Sequence, residues 1–440
     1  MLIKFSVRNF KTFRDEAVLS LIASNYDKTT REEENVIEIP QFNLRLLKSA
    51  VMYGANASGK SKLVEAMMFM TNFVVGSSKD MQKDELINVE PFKLQVESEN
   101  EPTEFEVIFI HENEVFRYGF EATKHKVVSE WLYHRPKTKE IELFYRDNQN
   151  FDSIHKTNFK KGEALVKEGM VRENALILSV AAQFNDTTAG RVLDWFYNIG
   201  GLSGIDDGAY REFSMAQMED TDHKRKAVEL LKAADLGIQD IVIEALDKIP
   251  DNIPQELKEL IIKRKQTGKH IKFVSDITTI HRKYNSNNKH VGDINFSMNN
   301  DESSGTLQFF SLTGPILDAI QKGSVFVVDE LGAKLHPNLV CKLIALFNSK
   351  ESNPKNAQLI FNTHDTNLLK SGLFRRDQIW FVKKDRYGAA SLYPLTDFEV
   401  RKTENFEDNY VEGRYGAVPY LGDFDAIVKP KLPRKNENEK

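Results

Sequence analysis

Three stretches of the 440-residue chain predict an α/β fold. Ser49-Ala-Val-Met-Tyr53 reads as a strand that runs straight into a glycine-bearing loop, and Lys62 to Val75 follows with apolar residues at helical spacing. Gly323-Ser-Val-Phe-Val-Val-Asp-Glu330 is a continuous apolar run ending in two acids, and Leu359-Ile-Phe-Asn-Thr363 is a second such run. Unbroken apolar runs of this length suit parallel strands buried on both faces.

The remaining elements follow in chain order. Residues 2–7 alternate like a strand and Ala17 to Ala23 reads as another. Two alternating runs between Phe105 and Glu121 surround His111-Glu-Asn-Glu114 and predict a β-hairpin. Asp222 to Ala234 places Val228, Leu231 and Ala234 at helical spacing, with Gly237 as a C-cap, and Pro254 to Lys265 reads as a further short helix. Residues 271–298 return to strand texture, and Thr306 to Gln321 looks helical. The expected organisation is a head whose N-terminal part with a mixed β subdomain spans 1–190. A mostly helical insertion would occupy 191–268, the C-terminal part of the head 269–425, and a polar, solvated tail 426–440. Internal repeats and long heptad patterns are absent from the sequence.

Composition narrows the class. The formal net charge of −5 gives no global positive field of the kind that advertises nucleic acid. The lone Cys341 rules out an intrachain disulfide and a cysteine-rich metal site, and its apolar neighbours suit a small packing role. Lys4 and Arg8 interrupt the N-terminal apolar residues, which is not the pattern of a signal peptide, and no apolar run is long enough to cross a bilayer. A cytoplasmic location without a membrane partner is the expectation.

Gly54-Ala-Asn-Ala-Ser-Gly-Lys-Ser61 matches the phosphate-binding P-loop pattern in full. Gly54 and Gly59 permit backbone conformations that turn successive N–H groups inward, Lys60 has the reach for β- and γ-phosphate oxygens, and the Ser61 hydroxyl suits Mg²⁺. The helix that follows adds the positive end of its dipole. Asp329-Glu330 at the end of the buried run matches the second half of such a site, with Asp329 holding Mg²⁺ through water and Glu330 polarising an attacking water. The guanine-reading Asn-Lys-x-Asp is missing, since Val382-Lys-Lys-Asp385 lacks the asparagine. Glu302-Ser-Ser-Gly-Thr306 opens a helix and ends 24 residues before Glu330, and His364 follows the next buried strand. Plainer alternatives stand beside each motif: a glycine turn, a polar strand end, a serine N-cap and a surface histidine.

The order Arg8-Asn-Phe-Lys11, P-loop, Ser-Ser-Gly, Asp-Glu, Leu335-His-Pro337, Thr-His-Asp resembles the ABC-type ATPase heads of the SMC, RecF and OLD families. Pro91-Phe-Lys-Leu94, Arg376-Asp-Gln-Ile-Trp-Phe381 and Gly413-Arg-Tyr-Gly-Ala-Val-Pro419 are similar to stand-alone bacterial ATPases of phage-defence and abortive-infection loci, the RloA-type proteins among them. The resemblance implies ATP and Mg²⁺ as ligands. It makes Gly54, Asn56, Ala57, Ser58, Gly59, Lys60, Ser61 and Lys62 nucleotide contacts, Ser61 and Asp329 metal contacts, Glu330 the base and His364 the switch histidine. Ser303, Ser304, Gly305 and Thr306 would act in trans as the signature of a second copy. Glu302 and Thr306 depart from the familiar Leu-Ser-Gly-Gly-Gln. Arg8 and Lys11 resemble basic residues that approach the nucleotide, although surface charge explains them as well, and Gln95 and Gln183 are both candidates for a metal-sensing glutamine.

A signature and a P-loop on one such head usually lie too far apart to share a nucleotide. The implied partner is therefore a second copy, as a head-to-tail dimer or higher homo-oligomer. No long coiled arm and no acidic nuclease cluster is apparent, so the expected role is a sensor or scaffold for a separately encoded effector in anti-phage defence. A RecF-like, ATP-dependent clamp on DNA is the alternative.

Overall fold

The computed structural model describes residues 1–203, 208–246, 273–400, 404–420 and 422. The helix expected at Pro254–Lys265 and the polar tail from Lys429 lie outside the described residues.

The helices are α1 (Glu32–Asn35), α2 (Lys60–Gly76), α3 (Lys160–Lys167), α4 (Ile177–Gln183), α5 (Thr187–Tyr197), α6 (Gly208–Gln217) and α7 (Thr221–Ala233). They continue with α8 (Ser304–Lys322), α9 (Pro337–Asn348), α10 (Asn367–Lys370) and α11 (Phe406–Val411).

The central six-stranded sheet has the order β11 (Ile199–Ser203), β15 (Val325–Asp329), β16 (Gln358–Asn362), β5 (Ser49–Tyr53), β17 (Ile379–Lys384), β18 (Ala390–Pro394). Its first five strands are parallel and β18 returns antiparallel. Every residue of β5 and β16 is buried, as their unbroken apolar sequences predict. Because side chains alternate across a strand, one sheet feeds two cores. Ala50, Met52, Val327 and Ile360 face a core with α2, whereas Val51, Tyr53, Val328 and Phe361 face one with α8 and α9.

The first core is closed by an antiparallel sheet. Its order is β10 (Asn150–Ile154), β9 (Ile141–Asp147), β8 (Val127–Arg135), β7 (Glu114–Ala122), β6 (Thr103–His111), β1 (Leu2–Arg8), β2 (Ala17–Ser20). Alternating burial along β6 matches its half-buried sequence pattern, and Phe105 packs on Phe69 of α2 with ring centroids 5.1 Å apart. The predicted hairpin is β6–β7, and Glu112 and Asn113 at its tip both have positive φ, the conformation of a tight two-residue turn. A short pair, β3 (Val36–Ile39) and β4 (Leu44–Leu47), and a three-stranded sheet of β12 (Ile238–Leu246), β13 (Phe273–Tyr284) and β14 (His290–Ser297) complete the strands.

The stretch 191–268, expected to be a mostly helical insertion, holds α6 and α7 but also two strands among its described residues. β12 belongs to the three-stranded sheet, and β11 pairs in parallel with β15 at the edge of the central sheet. The sequence of β11, Ile-Gly-Gly-Leu-Ser, carries no strand periodicity because a Cβ at Gly201 would lie 2.0 Å from the Met68 sulfur of α2. Glycine lets the Met68 side chain lie directly on the strand, and glycine erases the signal.

Candidate functional site

The loop between β5 and α2 is shaped by steric necessity. A Cβ on Gly54 would sit 2.4 Å from the Val382 carbonyl oxygen, and Gly59 has φ 116 with Thr12 Oγ1 2.8 Å from where its Cβ would be. Ala57 is also left-handed, with φ 59. These turns direct backbone N–H groups into the loop, and α2 starts at Lys60 with no side-chain cap to occupy its free donors. Lys60 is buried, and its ammonium donates to the carbonyls of Gly54 at 2.9 Å and Ala55 at 3.0 Å. Burial pushes its pKa below the ordinary lysine value, opposed by the fields of Glu330 and Asp329. The hydroxyls of Ser58 and Thr12 are buried without a hydrogen-bond partner among the described residues. A buried cation, free helix N–H groups and the orphaned hydroxyls of Ser58 in this loop and of Thr12 in the β1–β2 connection, on the wall of one cavity, fit an anionic ligand.

The acid pair faces this loop across one intervening strand, β16. Asp329 ends β15, and Glu330 leaves it with φ 58, a left-handed conformation unfavourable for a residue with a side chain. Asn362, fully buried at the end of β16, holds this turn. Its side-chain carbonyl accepts the Glu330 N–H at 2.8 Å, its amide donates to Asp329 Oδ1, and its backbone carbonyl accepts the Leu331 N–H at 3.0 Å. His364 follows two residues later on a turn in which Thr363 donates to the Leu331 carbonyl at 3.2 Å. Reduced solvation and the Lys60 charge lower the His364 pKa, against the pull of Glu330 and Asp329.

One cavity of about 730 Å³ gathers Asn56, Ala57, Ser58, Gly59, Lys60, Ser61, Lys62, Glu330 and His364, with Thr12 and Lys384 completing its wall. Gly54 contributes as the acceptor for Lys60, and Asp329 lies behind Glu330, held by Asn362. The signature residues are elsewhere. Ser303 caps α8 by accepting the Thr306 N–H at 3.1 Å, and Ser303, Gly305 and Thr306 line a second cavity of about 520 Å³ with Lys334 and His336. Ser303 and Ser304 are exposed, and none of the four residues from Ser303 to Thr306 lines the P-loop cavity.

Arg8 and Lys11 are outside that wall as well. Arg8 pairs with Glu104 at 2.9 Å and Glu121 at 3.1 Å, and Lys11 pairs with Glu65 at 2.6 Å. Their neighbour Thr12 reaches the cavity instead. Gln95 accepts from the Ser98 hydroxyl at 3.2 Å and Gln183 ends α4, so neither candidate glutamine lines the cavity. Asn362, Thr12 and Lys384 carried no assigned role in the sequence. Asn362 left a trace, a polar residue closing an apolar run, whereas Lys384 left none.

A P-loop following β5 and an acid pair closing β15 on a central parallel sheet define a P-loop ATPase fold. The chain belongs to the family described as "AAA domain, putative AbiEii toxin, Type IV TA system", which matches residues 49–370. Among solved structures it is similar to the SMC head domain from Thermotoga maritima, with 14% identity and a TM-score of 0.40 over 91% of this chain and 99% of that one. No curated protein matches the chain. Among the described residues no helix is long and apolar enough to cross a membrane.

Proposed function

We propose that two copies of this chain, facing head to tail, bind and hydrolyse ATP with Mg²⁺. The observation that carries this is the separation of the two half-sites: Lys60, Glu330 and His364 share one cavity, while Ser303, Gly305 and Thr306 open onto another. Lys60 and the first N–H groups of α2 hold the phosphates, and Glu330 accepts the proton of the attacking water. His364, on the wall of the same cavity, offers a hydrogen bond to the phosphates. The Ser61 hydroxyl and the Asp329 carboxylate form a hard-oxygen donor set suited to Mg²⁺, which when bound offsets phosphate charge. Ser303, Ser304 and Gly305 of one copy cover the nucleotide of the other, so that ATP binding builds the interface and hydrolysis dissolves it.

The cycle controls a separately encoded effector in anti-phage defence, in line with the stand-alone, RloA-type ATPases that the sequence resembles. The family description, which names a toxin and a toxin–antitoxin system, supports this direction.

Mixing two inactive variants tests the paired site. Lys60→Ala and Ser304→Arg should each abolish hydrolysis alone, and together restore it through one intact composite site. Failure of the mixture, with wild-type protein active, would exclude the paired site. For the cellular role, the native locus should protect against at least one phage in a broad panel, and Lys60→Ala should remove that protection. Salt-sensitive, ATP-dependent DNA binding by the chain alone, without such protection, would instead favour a DNA clamp.

A further inference from the structure

Glu302 stands immediately before the cap of the signature helix, yet its carboxylate does not cap that helix, because Ser303 does. It reaches into the three-stranded sheet. The Thr279 hydroxyl donates to Glu302 Oε1 at 2.6 Å, and His281 Nε2 lies 2.6 Å from the same oxygen. Both partners are on β13, Thr279 fully buried and the His281 ring packed on Phe296 of β14 with centroids 4.9 Å apart.

The chain leading into the signature is short and is fastened to the same strand a second time. β14 ends at Ser297, and the Met298 N–H donates to the Ile277 carbonyl of β13 at 2.7 Å. The body of α8 buries Phe309, Phe310, Leu312 and Ile316 in the core beneath the central sheet, which Ile277 of β13 and Met298 also enter. Core packing thus holds the helix body, and polar bonds to β13 hold its exposed entrance.

We propose that Glu302 is the positioning residue of the signature turn. Through Thr279 and His281 it ties Ser303-Ser304-Gly305 to β13, so that the placement of the β13–β14 hairpin decides whether the turn closes on the partner's nucleotide. This rests on the reading that the signature acts in trans. It also accounts for an acid at a position where the familiar signature has leucine: a carboxylate oxygen accepts two donors from a neighbouring sheet, which leucine cannot.

Mixed dimers of the full chain separate positioning from folding. The reference pair joins Lys60→Ala to Ser304→Arg, leaving one working site built from the P-loop of the Ser304→Arg copy and the signature of the Lys60→Ala copy. Adding Glu302→Ala to the Lys60→Ala copy alters the working signature, and adding it to the Ser304→Arg copy alters the idle one. The first arrangement should lose about ten- to a hundredfold in kcat with KM little changed, the scale expected of a small misplacement. The second should match the reference pair. Glu302→Gln, which keeps an accepting oxygen, should retain most activity in both, and Thr279→Val should repeat the Glu302→Ala pattern with a smaller loss. Equal losses in both arrangements, or no loss in either, would overturn the proposal while leaving the trans reading intact. An inactive reference pair beside active wild-type protein would overturn the trans reading, and the proposal with it.

Discussion

The side-chain carbonyl of Asn362 accepts the backbone N–H of Glu330 at 2.8 Å and thereby holds Glu330 in a left-handed turn. The same side chain donates to Asp329, so one buried residue orients both acids of the site. Asn362→Leu leaves the Glu330 N–H without its partner and releases the strained turn. The expected result is a fall in ATP turnover of tenfold or more, about what misplacing a catalytic group costs. Thermal unfolding should also show a loss of about 1–3 kcal/mol from the unsatisfied buried groups. Unchanged turnover would remove Asn362 from the site.

Glu330→Gln keeps the shape of the side chain and removes its basicity. Turnover should fall by about a hundred- to ten-thousandfold, the usual contribution of a general base, while nucleotide binding is retained. Single-turnover hydrolysis alongside equilibrium nucleotide binding checks both, and undiminished hydrolysis would assign the proton transfer to another group.

Gly59→Ala tests whether loop geometry, rather than loop composition, makes the phosphate site. Its φ of 116 is unfavourable for alanine, at about 1–3 kcal/mol, and the new methyl meets Thr12 Oγ1 at 2.8 Å. Nucleotide affinity should drop at least tenfold, with the fold retained by circular dichroism. Wild-type affinity would mean that the phosphates are held elsewhere.

His364 gives a pH dependence with a definite sign. Its pKa lies below the ordinary 6.5 in the folded chain, so between that lowered value and 6.5 the unfolded chain binds the proton more readily. The contribution of His364 to stability is therefore full above pH 6.5 and declines as pH falls through this window. His364→Gln should flatten that part of the stability profile, measured by denaturant unfolding between pH 5 and 8. A steeper profile in the variant would contradict the lowered pKa.

Local rules made much of the molecule legible in the sequence. Ser49–Ser61 spells strand, turn and helix because β-rich residues, glycines and helical spacing act over a few residues each. Val325–Asp329 and Gln358–Asn362 announce buried parallel strands because a strand covered on both faces tolerates no polar alternation. Lys60, Ser61, Glu330 and His364 were likewise singled out from the sequence, and the fold brings these four to the wall of one cavity.

Tertiary structure alone decided the relationships between distant parts. Ile199–Ser203 falls in a stretch expected to be mostly helical, and becomes the edge of the central sheet only by pairing with β15, with Gly200 against Phe326 and Gly201 against Met68 of α2. Arg8 and Lys11 resemble basic residues that approach a nucleotide as readily as plain surface charges, and the fold pairs them with Glu65, Glu104 and Glu121 while their neighbour Thr12 lines the cavity. Asn362 lies 33 residues from Asp329, and Glu302 lies 21 from His281. Pairing across such separations depends on which strands become neighbours, a property of the whole sheet that no stretch of the chain encodes by itself.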